Sequence, residues 1–138
     1  MSQTVAQTSA RTPFERIGGH AALRAITDRF YDLMEQDPAY AELRAIHADD
    51  LAPMRESLPL FLAGWAGGPR DWFEAHPGQC MMSMHAPFPI GRQTADQWAE
   101  AMSRAIAETE LADREMGDAM AEVLGRMARN MARNMARD

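Results

Sequence analysis

The sequence predicts an all-α protein, and three observations carry that prediction. Ala, Met, Leu, Arg and Glu abound while β-branched residues are scarce. Apolar residues recur at helical spacing in several stretches. Pro and Gly fall between those stretches, where they end helices or make turns.

Residues 1–12 are polar and read as a flexible N-terminal tail. PFERIGGH (13–20) reads as a short helical turn broken by Gly18 and Gly19, which tolerate positive φ or a close helix crossing. A helix is expected from about His20 to Gln36, with Leu23, Ile26, Phe30 and Leu33 as its core stripe and Thr27 and Tyr31 on the adjoining face. Asp37–Pro38 ends it, and a short helix to Ile46 leads into the loop around His47. Asp49 or Asp50 can cap the next helix, which tolerates Pro53 in its first turn. Met54, Leu58, Phe61, Leu62 and Trp65 form its apolar stripe, and Pro59 inside it predicts a kink.

AGGPRDW (66–72) ends that helix in a turn, and a partly irregular connector with His76–Pro77–Gly78 follows. CMMSMHAPFPIG (80–91) then reads as a short helix ending on His85, stopped by Pro87 and Pro89. Thr94 with Gln97 resembles a capping box opening a helix to about Glu110, with Trp98, Met102, Ala105 and Ile106 inward. The last helix starts near Asp113 on a stripe of Met116, Met120, Val123, Leu124 and Met127. MARNMARNMARD continues it as an Arg- and Met-rich extension, so residues 13–138 read as one domain.

Charge and composition exclude several functions. The 138 residues carry a net charge of −6, so nucleic acid is not an expected partner. The four arginines from Arg126 onward make that end locally basic. There is no lysine, which excludes Schiff-base and catalytic-lysine chemistry. The single Cys80 precludes an internal disulfide and fits a reducing compartment. With no signal-like segment and no run of roughly 20 apolar residues, a cytoplasmic protein without membrane insertion is expected. Cys80 would point about 140° away from His85 on a helix, as a structural thiol.

Neutral His is the commonest metal ligand, yet His20, His47, His76, His85 and Cys80 form no zinc-ligand array. A porphyrin removes that difficulty, because it supplies four ligands and needs only one from the protein. His85, after a methionine-rich helix and before a rigid turn, suits that single bond.

At this point the sequence resembles the truncated haemoglobins, group II in particular. The resemblance rests on Gly18–Gly19, RFYDLM (29–34), DDL (49–51), FLAGWAGGP (61–69), MHAPFPIG (84–91) and Trp98, thirteen residues after His85. It implies a globin-like, two-over-two helical sandwich around haem b. By that resemblance His85 is the proximal iron ligand, while Tyr31, His47 and Trp98 face the distal side. Met54 and Leu58 stand at distal-helix positions, Phe61, Leu62 and Trp65 continue the wall, and Met81, Met84, Phe88 and Ile90 line the proximal side. Oxygen on such a haem takes on partial negative charge, so each donor aimed at it is worth ~1.5–3 kcal/mol.

Two positions depart from the family pattern. Met84 and Ser57 stand where basic residues commonly pair the haem propionates, leaving Arg55 and Arg92 as candidate substitutes. The HPGQCMM segment is also shifted relative to the usual Gly-His-Pro arrangement.

The function expected from the resemblance is reversible binding of oxygen, with CO and NO as further ligands, at a pentacoordinate iron, in a monomer or homodimer. A redox enzyme on the same haem, an NO dioxygenase or peroxidase-like, is the alternative and would need a separate reductase for electrons. A third reading dispenses with haem: Cys80, Met81, Met82, Met84 and His85 form a soft-donor cluster suited to Cu(I). For individual residues the plainer readings stay open, with Tyr31 and Trp98 as core packing, His47 as a solvated loop residue, and His20 and His76 at the surface.

Overall fold

Thr12 opens the first helix, α1 (Pro13–Ile17), with a reciprocal cap. Its hydroxyl accepts from the Glu15 amide at 3.1 Å, and the Glu15 carboxylate accepts from the Thr12 amide at 2.9 Å. The computed structural model describes residues 11–77 and 90–135, and within them every regular helix or turn is α or 3-10 with no strand. Gly18 (φ 118°) and Gly19 (φ 75°) break the chain between α1 and α2 (Gly19–Gln36), as the glycine pair predicts.

The α2 stripe is buried as its spacing predicts, with Leu23, Ile26, Phe30 and Leu33 at most 4% exposed. The enclosed Thr27 hydroxyl donates to the Arg24 carbonyl at 3.1 Å, which satisfies it locally. The expected Pro38–Ile46 helix is a 3-10 turn, Pro38–Tyr40, followed by α3 (Ala41–Ala45). Both are pinned to a later helix, α6 (Arg92–Glu108). The Tyr40 hydroxyl donates to Glu100 at 3.0 Å and accepts from Arg104 at 3.1 Å, and the Leu43 amide donates to Gln97 at 3.0 Å.

α4 (Ala52–Trp65) runs through Pro59, whose missing N–H leaves the Arg55 carbonyl without its helical donor. Its start differs from expectation. Leu51 is the residue before the helix, and Asp50 acts one position earlier by accepting from the Ala52 amide at 3.0 Å. The stripe is uneven: Leu62 is buried, Leu58, Phe61 and Trp65 are half-buried, and Met54 is 37% exposed.

A helix stands where the sequence suggests a turn and irregular connector. In α5 (Asp71–Ala75), Trp72 and Phe73 pack on Phe61, with ring centres 5.2 and 5.4 Å away. Gly64 permits this approach, because a Cβ there would lie 2.6 Å from Phe73 ring carbons. Gly64→Ala is therefore expected to cost about 1–3 kcal/mol of stability through overpacking. Urea unfolding followed by circular dichroism measures it, and an unchanged midpoint would show that Phe73 yields without cost.

The opening of α6 also corrects a prediction. Thr94 lies inside the helix rather than at its cap, and its hydroxyl accepts from the Gly91 amide at 3.0 Å. Gln97 completes no capping box because its side chain is bound to Leu43. The Asp113 carboxylate accepts from the Met116 amide at 2.9 Å at the start of α7 (Arg114–Met135). That amide is the first cause holding the Asp113 carboxyl below its usual range, and Arg16, 3.0 Å away, adds to it. The MARN repeat is helical through Met135, with Met131 buried and Arg129 bonded to Asp96 at 2.9 Å.

Packing joins these helices in two pairs: α2 lies on α4, α6 lies on α7, and α2 crosses α6 between them. No described helix is long and apolar enough to cross a membrane.

Candidate functional site

α2 carries Phe30 and Tyr31 into the crossing with α6, where Trp98 meets Phe30. Phe30 touches both neighbours edge-on, with ring centres 4.9 Å from Tyr31 and 5.4 Å from Trp98. The His47 ring stands 6.2 Å from Tyr31, again edge-on. Three residues expected on one side of the site, from α2, the loop after α3, and α6, are thus brought together.

Tyr31 is 2% exposed, yet its hydroxyl makes no hydrogen bond to a described residue. Among the described residues no fully enclosed side-chain nitrogen or oxygen lacks a partner. The hydroxyl must therefore open on accessible space instead of being sealed in the core. The Trp98 indole N–H likewise has no hydrogen bond to a described residue. Neither donor is used within the described chain, so both suit a group that it does not provide. Burial raises the Tyr31 pKa far above the ordinary phenol range, and Arg55 opposes that more weakly. The hydroxyl keeps its proton and can donate.

His47 carries different chemistry from the other two. Its Nδ1 lies 2.8 Å from the Leu43 carbonyl oxygen, which can only accept, so Nδ1 must hold the proton. In the neutral ring Nε2 is then an acceptor, and the residue donates on that side only as imidazolium. The same Leu43 is held through its amide by Gln97, next to Trp98, so α6 fixes the His47 ring by way of α3.

The expected α4 wall is partly assembled. Leu58 and Leu62 pack with the core, while Phe61 is turned into the α5 aromatic cluster. Trp65 lines a crevice of about 220 Å³ with Pro13, Ala66, Met116, Ala119, Met120 and Val123, all apolar. Ile90 is half-buried just before α6. Met81, Met84, His85 and Phe88 lie outside the described residues, as do Cys80 and the short helix expected to end on His85.

The remaining histidines occupy other environments. His20 is exposed at the start of α2. His76, expected at the surface, is half-buried, stacked 4.3 Å from Trp72 with its Nδ1 2.8 Å from the Trp72 carbonyl. Among the described residues no group of His, Cys, Asp and Glu could hold a metal ion by itself.

Arg55 corrects the expectation of a propionate partner. Its guanidinium is held by Asp32 at 2.9 Å, Glu35 at 3.1 Å and Asp28 at 3.3 Å. Sequence reading missed this cluster, although Asp28, Asp32 and Glu35 recur at one-face helical spacing beside Tyr31. Phe30, read only as core, is the wedge between the two donors that have no hydrogen bond to a described residue.

A family model described as bacterial-like globin matches residues 12–133. Among solved structures, the chain is similar to a group II 2-on-2 hemoglobin from Agrobacterium tumefaciens. That match has 34% identity and a TM-score of 0.82, covering 88% of this chain and 94% of that one. A hemoglobin from Chloroflexus aurantiacus is 36% identical at a TM-score of 0.78, covering 88% and 97%. A truncated oxygen-avid haemoglobin from Bacillus subtilis is 29% identical at a TM-score of 0.74, covering 88% and 98%.

Proposed function

The chain belongs to the bacterial-like globin family, which implies a haem cofactor and haem-based binding of diatomic ligands, and from that premise we propose that it binds oxygen reversibly on a pentacoordinate haem b. The fold is the two-on-two globin fold, with α2 and α4 as one helix pair and α6 and α7 as the other. CO and NO are further ligands on this reading.

One observation supports it most: two hydrogen-bond donors, Tyr31 and Trp98, flank Phe30 and have no hydrogen bond to the described chain. They suit a small ligand that gains negative charge when it binds. Haem, when bound, supplies the iron site at which a diatomic gas is held. The chain's part is to hold the iron through His85, to donate from the Tyr31 hydroxyl and the Trp98 N–H, and to exclude water with apolar walls. Leu58 and Leu62 serve as those walls, with Met54 at the exposed rim. Phe61 and Trp65 back them from the α5 cluster and the crevice against α7. The resemblance adds Met81, Met84, Phe88 and Ile90 on the His85 side. A relative described as oxygen-avid shares the fold, which favours oxygen among the gases.

Absorption spectra of the purified protein in its ferric, ferrous and CO forms test the proposal. A Soret band that shifts with CO and returns to its starting position as CO is removed is expected. Protein that stays colourless with haemin supplied would reject it, and copper without porphyrin would favour the soft-donor alternative.

A redox enzyme fed by a separate reductase is the second reading, and the polar side chains beside Phe30 favour it. The polar group of Tyr31, His47 and Trp98 would assist cleavage of a peroxide O–O bond. Rapid-mixing reaction of the oxygenated protein with NO, together with peroxide turnover, separates the two readings.

A further inference from the structure

We propose that Arg55 is a positioning residue for the Tyr31 hydroxyl, acting through an ionic strap that ties α4 and the His47 loop to α2. The inference rests on Tyr31 serving as the distal donor and adds what holds that donor in place.

The strap is built on one face of α2. Asp28, Asp32 and Glu35 are spaced so that their carboxylates line up beside Tyr31, three residues after the first and four before the last. Arg55, from the first half of α4, reaches all three at 3.3, 2.9 and 3.1 Å, and its Nη1 also donates to the Asp28 carbonyl at 3.1 Å. Its side chain is 22% exposed, so these bonds are screened less than most surface pairs. The guanidinium also lies over the Tyr31 ring, 5.8 Å from its centre, within the ~6 Å range of a cation–π contact.

Glu35 carries the strap onward. Its other oxygen lies 3.9 Å from Arg44, whose guanidinium donates to the Ala48 and Asp49 carbonyls at 2.9 and 2.8 Å. That pins the backbone immediately after His47.

The arrangement has a geometric reason. A tyrosine hydroxyl without a hydrogen bond to the described chain has nothing at its tip to fix the ring. Orientation must come from what touches the ring faces and edges. Phe30 and His47 do so edge-on, and Arg55 does so from above. A planar fork anchored by three carboxylates is a rigid support in a way that a single-point cation is not.

A double-mutant cycle tests this. Arg55→Gln is expected to speed oxygen dissociation about tenfold, the loss of one charge-assisted hydrogen bond. In a Tyr31→Phe background the same change should have no further effect. An equal acceleration in both backgrounds would mean general loosening of the site and would overturn the proposal. Should Arg55→Gln fold poorly, salt replaces it. Molar salt shortens the screening length to about 3 Å, and it should speed oxygen release from the unsubstituted protein but not from Tyr31→Phe; equal salt effects in the two proteins would overturn the proposal.

A second readout is independent of oxygen. The 13C resonances of the Tyr31 ring, in the protein as purified, should shift or broaden in Arg55→Gln and not in Arg129→Gln, which removes a remote ion pair. An unmoved ring sinks the strap whether or not haem is bound. Failure to take up haemin sinks the oxygen reading instead, and leaves the ring resonances to decide the strap.

Discussion

Tyr31→Phe is expected to speed oxygen dissociation roughly 10–100-fold while leaving the unfolding midpoint unchanged or slightly raised. The two halves of that result come from one fact, that the hydroxyl has no hydrogen bond to the described chain. Removing an oxygen that bonds to no described residue breaks no hydrogen bond among them. The ring keeps its contacts with Phe30, His47 and the Arg55 guanidinium. A core tyrosine with a satisfied hydroxyl behaves in the opposite way. Its replacement by Phe loses about 0.5–1.5 kcal/mol of stability and leaves ligand kinetics alone. Flow-flash or stopped-flow release of oxygen, set beside a thermal melt of the same preparation, therefore distinguishes the roles. A lowered midpoint with an unaltered release rate would remove Tyr31 from the site.

What could be read in the sequence follows the range of the interactions concerned. The α2 stripe of Leu23, Ile26, Phe30 and Leu33 was legible because burial against neighbouring helices repeats at the helical period. Gly18–Gly19 was legible because positive φ is a demand of the local backbone. Where one residue's role depends on a partner far along the chain, the sequence leaves the choice open. Gln97 three residues after Thr94 satisfies a local pattern, yet its side chain is bound to the Leu43 amide, 54 positions away. α5 is five residues long, too short to show a period, and it is held by Phe61 and the gap left by Gly64.

The site divides along the same line. Residue types at Tyr31 and Trp98 signal donors, and their meeting around Phe30 is consistent with the motifs that named them. The proton on His47 was not legible, because it is set by a backbone carbonyl one turn earlier whose direction only the fold defines. Arg55 was misjudged for a related reason. Met84 and Ser57 leave the propionate role open and so make Arg55 a candidate for it, and only the fold shows three carboxylates from α2 around its guanidinium. Met54 shares the α4 period with Leu58 and Leu62, yet it remains 37% exposed. Period alone does not tell which turns of a helix its neighbours cover.

His85→Gly is expected to abolish the five-coordinate ferrous spectrum, and added imidazole is expected to restore most of it. That expectation follows from the resemblance to the truncated haemoglobins, and the surroundings of the other three histidines agree with it. His20 is exposed at the beginning of α2. The His76 ring face is covered by Trp72, and its Nδ1 is bonded to a main-chain carbonyl. His47 sits beside Tyr31 with its Nδ1 on Leu43, on the side where the gas would be held. Haem needs one protein nitrogen, and the resemblance to the truncated haemoglobins puts that bond on His85, which the sequence sets between methionines and the prolines Pro87 and Pro89. Truncation to Gly leaves a space of imidazole size, so the free base can occupy it and supply the missing ligand without restoring the chain connection. Loss of the band with recovery by imidazole identifies a ligand; loss without recovery points to a folding defect. A spectrum indifferent to the substitution would move the iron bond to another histidine and reverse the assignment of the two faces.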